Sequence, residues 1–149
     1  LVSLTDERFK DKVVLVQIMG TWCPNCLDES KYYAQFYKDN KGKDIEIVAL
    51  AFEYAKTQEK AYNNIKRLKA RTGIEYPVLL AQVGTSSKLK ANKKLPMLNH
   101  VLSYPTTIFI DKTGKVRKIH TGFNGPATGD KYTEFKTEFT SFVKELLEE

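Results

Sequence analysis

Gly20-Thr21-Trp22-Cys23-Pro24-Asn25-Cys26 follows the apolar run Val13–Met19 and leads into a helical pattern, and it holds both cysteines of the chain. Two cysteines three residues apart at the start of a helix differ by about 4.5 Å in height and about 60° in azimuth, which puts their α-carbons roughly 5 Å apart. That separation permits a disulfide. It also makes the thiols unequal. Cys23 is expected at the helix N-terminus, where unpaired backbone N–H groups and the positive end of the helix dipole favour a thiolate. Cys26, one turn further in, is expected to be shielded and less acidic. An exposed, acidic attacking thiol beside a protected resolving thiol is the minimum equipment for thiol–disulfide exchange.

Around this stretch the chain resembles the thioredoxin fold, and more narrowly the TlpA/ResA type of extracytoplasmic thiol–disulfide oxidoreductase. The resemblance rests on the strand and Trp-Cys-Pro-Asn-Cys helix start, on Glu29 three residues past the second cysteine, and on Tyr104-Pro105-Thr106 opening a later strand. The hairpin Thr107–Val116 around Asp111-Lys112-Thr113-Gly114 completes it. These motifs span most of the chain in the expected order. The implied architecture is α/β: a mixed central sheet with the active-site, inserted and C-terminal helices covering its faces. The block between the second strand and Pro105 exceeds a minimal thioredoxin and resembles the helix-strand insertion of the TlpA-like branch.

The resemblance assigns roles to particular residues. Cys23 is the implied attacker and Cys26 the resolving thiol, so that no cofactor is called for beyond a redox-active Cys23–Cys26 disulfide. Glu29, one turn past Cys26, is placed to exchange a proton with it; a solvent-facing helical glutamate beside Asp28 is the plain alternative. Trp22, Pro24, Tyr104 and Pro105 are the implied substrate-binding positions. Tyr104-Pro105 is expected to be cis, with the exposed strand edge pairing with a client's extended backbone. Gln17 is a departure: many cytosolic thioredoxins carry a buried Asp six residues before the attacking cysteine, and an amide cannot carry that proton. The implied partners are disulfide-bearing exported proteins and a membrane thiol electron donor. The implied location is periplasmic or otherwise extracytoplasmic, with tethering to the membrane through a preceding segment.

Composition sets the outer limits. A chain of 149 residues, 42% hydrophobic and 28% charged, fits one domain with a two-layer core. The longest apolar run has strand length and falls short of a membrane span. The charge of +6, densest at Lys88, Lys90, Lys93 and Lys94, comes with no nucleic-acid recognition motif and reads as solvated surface. A lone pair of cysteines three apart suits redox chemistry better than a disulfide-stapled scaffold.

Along the chain, Leu1–Lys12 reads as a lead-in and Val13–Met19 as a central strand covered on both faces. Pro24 to about Asp39 reads as a helix with Leu27, Ser30, Tyr33, Ala34 and Tyr37 along one side. Ile45–Phe52 reads as a second, parallel strand, Gln58–Arg71 as a helix with Ala61, Ile65 and Leu68 inward, and Tyr76–Ala81 as a short strand. A short helix is expected at Ser86–Asn92, with Met97 and His100 in or near the following loop. Thr106–Ile110 and Val116–Thr121 form a hairpin at the sheet edge. Asp130 is expected to cap a last helix through Leu147, with Phe135, Phe139, Phe142, Val143 and Leu146 inward. His120 reads as a surface residue. Two further functions stay open on sequence: a thiol peroxidase of the peroxiredoxin type, and a metal carrier or binding module on the same fold. Metal ligation by the cysteines and two distant histidines fits no finger spacing.

Overall fold

The computed structural model describes residues 7–84 and 104–149. The helix expected at Ser86–Asn92, the lysine cluster at positions 88–94, Met97 and His100 lie outside the described residues.

A five-stranded sheet in the order β3-β2-β1-β4-β5 organises the chain. Its strands are β1 (Val13–Met19), β2 (Ile45–Phe52), β3 (Val78–Gln82), β4 (Thr106–Ile110) and β5 (Val116–Thr121). β1 pairs in parallel with β2, and β2 with β3. β1 pairs antiparallel with β4, and β4 with β5, so the sheet is mixed. Every residue of β1 is buried. A run of seven residues with six aliphatic side chains is what a strand covered on both faces requires.

Helix α1 (Pro24–Asp39) crosses from β1 to β2, and α2 (Gln58–Thr72) from β2 to β3. Pro24 occupies the first helical position, where its missing N–H goes unmissed. Thr57 caps α2, accepting the Lys60 N–H at 3.2 Å. Gly73, at φ 76°, closes α2 in a left-handed conformation and donates to the Lys69 carbonyl at 2.9 Å. Helix α3 (Asp130–Glu148) ends the chain and buries Phe135, Phe139, Val143 and Leu146.

Three details differ from the sequence expectation. Gly129, not Asp130, is the N-cap of α3; its φ of 60° suits glycine, and Asp130 becomes the acidic first residue of the helix. The third strand begins at Val78, after Pro77, which has no N–H to give a ladder; Tyr76 instead turns into the core. The described helices also share one face of the sheet. Side chains of α1, α2 and α3 join Val13, Leu15, Met19, Ile45, Ile47, Ala49, Ala51 and Phe109 in one core. The opposite face gathers Val14, Val16, Ile18, Val48, Phe52, Ile108 and Ile110 with Phe9 of the 3-10 turn Glu7–Phe9. Alternation along each strand assigns successive residues to the two layers. Burial of each large apolar side chain contributes about 1.5–3 kcal/mol, so both layers matter to stability.

Candidate active site

The C-terminal end of β1 delivers the chain into a turn closed by the Cys23 N–H donating to the Gly20 carbonyl at 3.2 Å. Cys23 is the N-cap of α1: its backbone is extended (φ −96°, ψ 116°) and its sulfur accepts the Cys26 N–H at 3.2 Å. A sulfur therefore fills the place usually held by a serine or aspartate oxygen. Both cysteines are unpaired thiols. Cys26 is wholly buried, as expected, but Cys23 is only 6% exposed, against the open position expected for an attacker. The cause is the cap itself, which turns the sulfur back over the helix end.

The two thiols differ strongly. Hydrogen bonding from the Cys26 side chain, assisted by the backbone N–H groups of Cys26 and Asn25, outweighs burial and pulls Cys23 down to about 7. Burial pushes the Cys26 thiol far up, and the neighbouring Cys23 adds to this. The asymmetry expected from helix position is present, though the hydrogen bond between the sulfurs contributes more to it than the helix end does.

Glu29 does not face solvent. It is wholly buried on the inner side of α1, and burial, helped by the charge of Cys23, pushes its carboxyl up to about 8. The amide of Gln17 and the hydroxyl of Thr107 pull in the other direction. Gln17 donates to Glu29 Oε1 and to Ser30 Oγ, each at 3.1 Å, and accepts from the Tyr76 hydroxyl at 3.0 Å. Thr107, opposite Gln17 in the β1/β4 register, shares a 2.7 Å hydrogen bond with Tyr33. Glu29 Oε2 is buried and finds no hydrogen-bond partner among the described residues. A carboxyl in such a place is more comfortable protonated.

The aromatic flank is built from Trp22, Tyr54 and Tyr104. Trp22 is 36% exposed; its indole N–H donates to the Phe52 carbonyl at 2.8 Å. Its ring lies 4.8 Å from that of Tyr54 and meets Tyr104 edge-on at 5.3 Å. Gly20 makes room for this arrangement: a Cβ there would fall 2.2 Å from the indole nitrogen and 2.9 Å from the Phe52 carbonyl oxygen. The Tyr104-Pro105 bond is cis, as the resemblance implies. Burial raises the Tyr104 phenol to about 12. Pro24 is exposed at the helix start, beside Cys23, while Pro105 is buried at the start of β4. The structure thus brings Cys23, Cys26, Glu29, Trp22, Pro24 and Tyr104 to one end of the sheet.

Sequence reasoning missed Glu53. It is 1% exposed and grips the turn: its Oε2 accepts the Thr21 N–H at 2.7 Å and its Oε1 accepts the Thr21 hydroxyl. A carboxylate ending an apolar parallel strand was the available signal, since sites gather at the carboxyl ends of such strands. Tyr76, Ser30 and Thr107, as partners in the buried network, were also missed. His120 is half-buried near Phe135 rather than fully exposed.

Known proteins resemble this chain in sequence and in fold. The family model described as Redoxin matches residues 1–134. The thiol-disulfide oxidoreductase ResA of Geobacillus thermodenitrificans is 32% identical over 119 residues, which are 80% of this chain and 59% of the relative. The chain therefore spans about three fifths of that relative's length. Among solved structures, a thiol-disulfide isomerase from Corynebacterium glutamicum superposes with a TM-score of 0.72 at 18% identity, covering 100% of this chain and 89% of the other. A thiol:disulfide interchange protein of the thioredoxin family from Chlorobium tepidum gives a TM-score of 0.64 at 24% identity, covering 93% and 81%. These likenesses, with the mixed sheet and the three α-helices among the described residues, show the α/β thioredoxin-like fold. With 134 of its 149 residues inside the family model, the chain belongs to the Redoxin family.

Proposed function

We propose that this chain is a thiol–disulfide oxidoreductase that reduces disulfides of exported proteins through Cys23 and Cys26. The observation that carries this reading is the unequal placement of two unpaired thiols: Cys23 caps α1 and its sulfur accepts the Cys26 N–H, while Cys26 is wholly buried, which lowers the first thiol and raises the second. At neutral pH a large share of Cys23 is thiolate while Cys26 keeps its proton. Cys23 attacks one sulfur of a client disulfide, forming a mixed disulfide and releasing the other sulfur as a thiolate that takes up a proton. Cys26 then loses its proton and attacks Cys23; the mixed disulfide breaks, the client leaves as a dithiol, and the protein holds the Cys23–Cys26 disulfide.

Glu29 serves the second step. While Cys23 is a thiolate, its charge helps keep the Glu29 carboxyl protonated. Once Cys23 enters the mixed disulfide that charge is gone, Glu29 reaches its carboxylate form more readily, and the carboxylate accepts the proton that Cys26 gives up. Trp22, with Tyr54 and Tyr104 behind it, offers the client an aromatic surface at the mouth of the site.

The resemblance to the TlpA/ResA type favours reduction, with electrons returned by a membrane thiol carrier on the outer side of the membrane. Among the described residues, no helix is long and apolar enough to cross a bilayer. The peroxidase and metal-carrier readings gain no supporting contact. The Thr21 hydroxyl is held by Glu53, and among the described residues no three or more His, Cys, Asp or Glu gather as ligands.

Trapping tests the reading. Cys26→Ala is expected to hold exported proteins covalently on Cys23, and mass spectrometry of the adducts names the clients. Equilibration with glutathione buffers is expected to give a thioredoxin-like potential; a value near about −120 mV, that of DsbA, overturns the reductase direction.

A further inference from the structure

The apolar run of β2 ends on a carboxylate that the exchange chemistry does not use. Glu53 follows Phe52 at the C-terminal end of the strand and is almost wholly buried. A carboxylate there is costly unless both oxygens are matched. Both are matched by one residue: Oε2 accepts the Thr21 backbone N–H and Oε1 the Thr21 hydroxyl. The Glu53 N–H in turn donates to the Gln82 carbonyl at 2.8 Å, tying the grip to β3. Its neighbours act in concert. The Phe52 carbonyl accepts the Trp22 indole N–H, and the Tyr54 ring packs on that indole. Three successive residues at the end of β2 therefore hold two successive residues of the turn.

The turn ends on the attacking sulfur. At its far end Cys23 caps α1, its sulfur accepting the Cys26 N–H at 3.2 Å, and the Cys23 N–H closes the turn on the Gly20 carbonyl at 3.2 Å. Thr21 lies between the two. We propose that Glu53 is a positioning residue for the dithiol: by holding both donors of Thr21 it fixes the turn Gly20–Cys23, and so keeps the Cys23 sulfur in the capping position on the Cys26 N–H. The inference rests on the exchange reading given above for the use of that dithiol. Glu53 touches neither client nor sulfur, and acts through Thr21.

A positioning role and a through-space charge effect have opposite signs. Removing a negative charge beside a thiol favours its thiolate and moves the titration of Cys23 down. Loosening the turn removes hydrogen bonds from the Cys23 sulfur and moves it up. Iodoacetamide alkylation of Cys23 against pH, in Glu53→Gln, Thr21→Val and Thr21→Ser, reads the sign without needing a client. Circular dichroism confirms that each variant is folded. The expected result is a midpoint raised in Glu53→Gln and Thr21→Val, with alkylation at pH 7 slowed about three- to tenfold, the worth of one hydrogen bond. Thr21→Ser, which keeps the hydroxyl, restores the profile. The double variant Glu53→Gln with Thr21→Val falls short of the product of the two single effects, because both break the same contact. Thr21→Val keeps the reading testable if Glu53→Gln does not fold. Folded variants whose profiles match the wild type, or move to lower pH, overturn the inference. A wild-type protein that exchanges no disulfides sinks the exchange reading instead, and leaves the alkylation profiles to judge the placement of Cys23.

Discussion

Gln17 and Glu29 face each other across the interface between β1 and α1, joined by a 3.1 Å hydrogen bond from the Gln17 amide to Glu29 Oε1. The amide also serves Ser30, and its carbonyl is taken by Tyr76. Gln17, an amide, has no resolving proton to carry; it orients the buried carboxyl of Glu29. A neutral amide suits this task, since a second carboxylate beside Glu29 would add a like charge to a site already short of solvent.

Replacing Gln17 by Leu is expected to strand the Tyr76 hydroxyl and Glu29 Oε1 without their partner, both in the buried core. Loss of stability of about 2–4 kcal/mol follows, read as a lower urea midpoint at unchanged slope. The Glu29 carboxyl, relieved of the hydrogen bond that favoured its charge, moves further up. Infrared difference spectra of the protonated carboxyl stretch check this; an unmoved titration would mean that the amide does not govern Glu29.

Glu29→Gln keeps the shape of the side chain and removes its proton traffic. The first step, attack by Cys23, is expected to stay close to wild type or quicken slightly, because the carboxyl when ionised opposes the thiolate. Resolution by Cys26 is expected to slow about a hundredfold at neutral pH and to lose the part of its pH dependence that centres near 8. Single-turnover decay of a preformed mixed disulfide isolates that step. Equal decay rates in the two proteins would remove Glu29 from the mechanism.

The legible and the hidden parts of this molecule separate along physical lines. Val13–Met19, Ile45–Phe52, Thr106–Ile110 and Val116–Thr121 were readable to the residue, since apolar runs bounded by turn signals fix strands locally. Cys23, Cys26 and their inequality were readable from spacing alone, and Glu29 from its place in the motif. What stayed hidden depends on distant parts of the chain meeting. Glu53 is 32 residues from Thr21, and Tyr76 is 59 from Gln17. No local pattern announces such pairs. The low exposure of Cys23 was missed for a different reason: helix position favours a thiolate but does not say where the sulfur points. Gly129 capping α3 in place of Asp130 turns on a positive φ that residue type alone does not reveal.

Stability against pH offers a check on the two shifted groups together. An unfolded glutamate titrates near 4.5, the folded Glu29 near 8. Between these values the folded protein keeps a proton that the unfolded chain has released, so stability falls as pH rises, by up to about 1.4 kcal/mol per unit. Cys23 works in the other direction. Its folded value of about 7 lies below the ordinary 9.0, so between 7 and 9 the unfolded chain holds the extra proton and stability rises. The reduced protein is therefore expected to lose stability from pH 4.5 to 7 and to level off between about 7 and 9, where the gain from Cys23 is opposed by Cys26, whose proton the folded protein keeps and the unfolded chain begins to release. Oxidation removes both thiols and leaves the fall from Glu29 alone, while Glu29→Gln abolishes the fall in both states. Urea titrations at half-unit pH steps test the pattern, and a flat curve below pH 7 in the reduced wild type would contradict a buried, protonated Glu29.

Gly20 tests whether the aromatic flank is built to a tolerance. Gly20→Ala places a methyl group 2.2 Å from the Trp22 indole nitrogen and 2.9 Å from the Phe52 carbonyl, so the bond between them must open. The expected cost is about 1–3 kcal/mol, in the range of overpacking elsewhere. Trp22 is the sole tryptophan of the chain, so its fluorescence reports the displacement without interference. A red-shifted, more quenchable emission is expected as the indole leaves Tyr54 and Tyr104 for solvent. Because Trp22 adjoins Cys23, reduction of a protein client should suffer more than reduction of a small aromatic disulfide that needs no docking surface. Emission and client rates both unchanged in Gly20→Ala would show that the turn yields freely, and would deprive the Trp22 surface of its part in client binding.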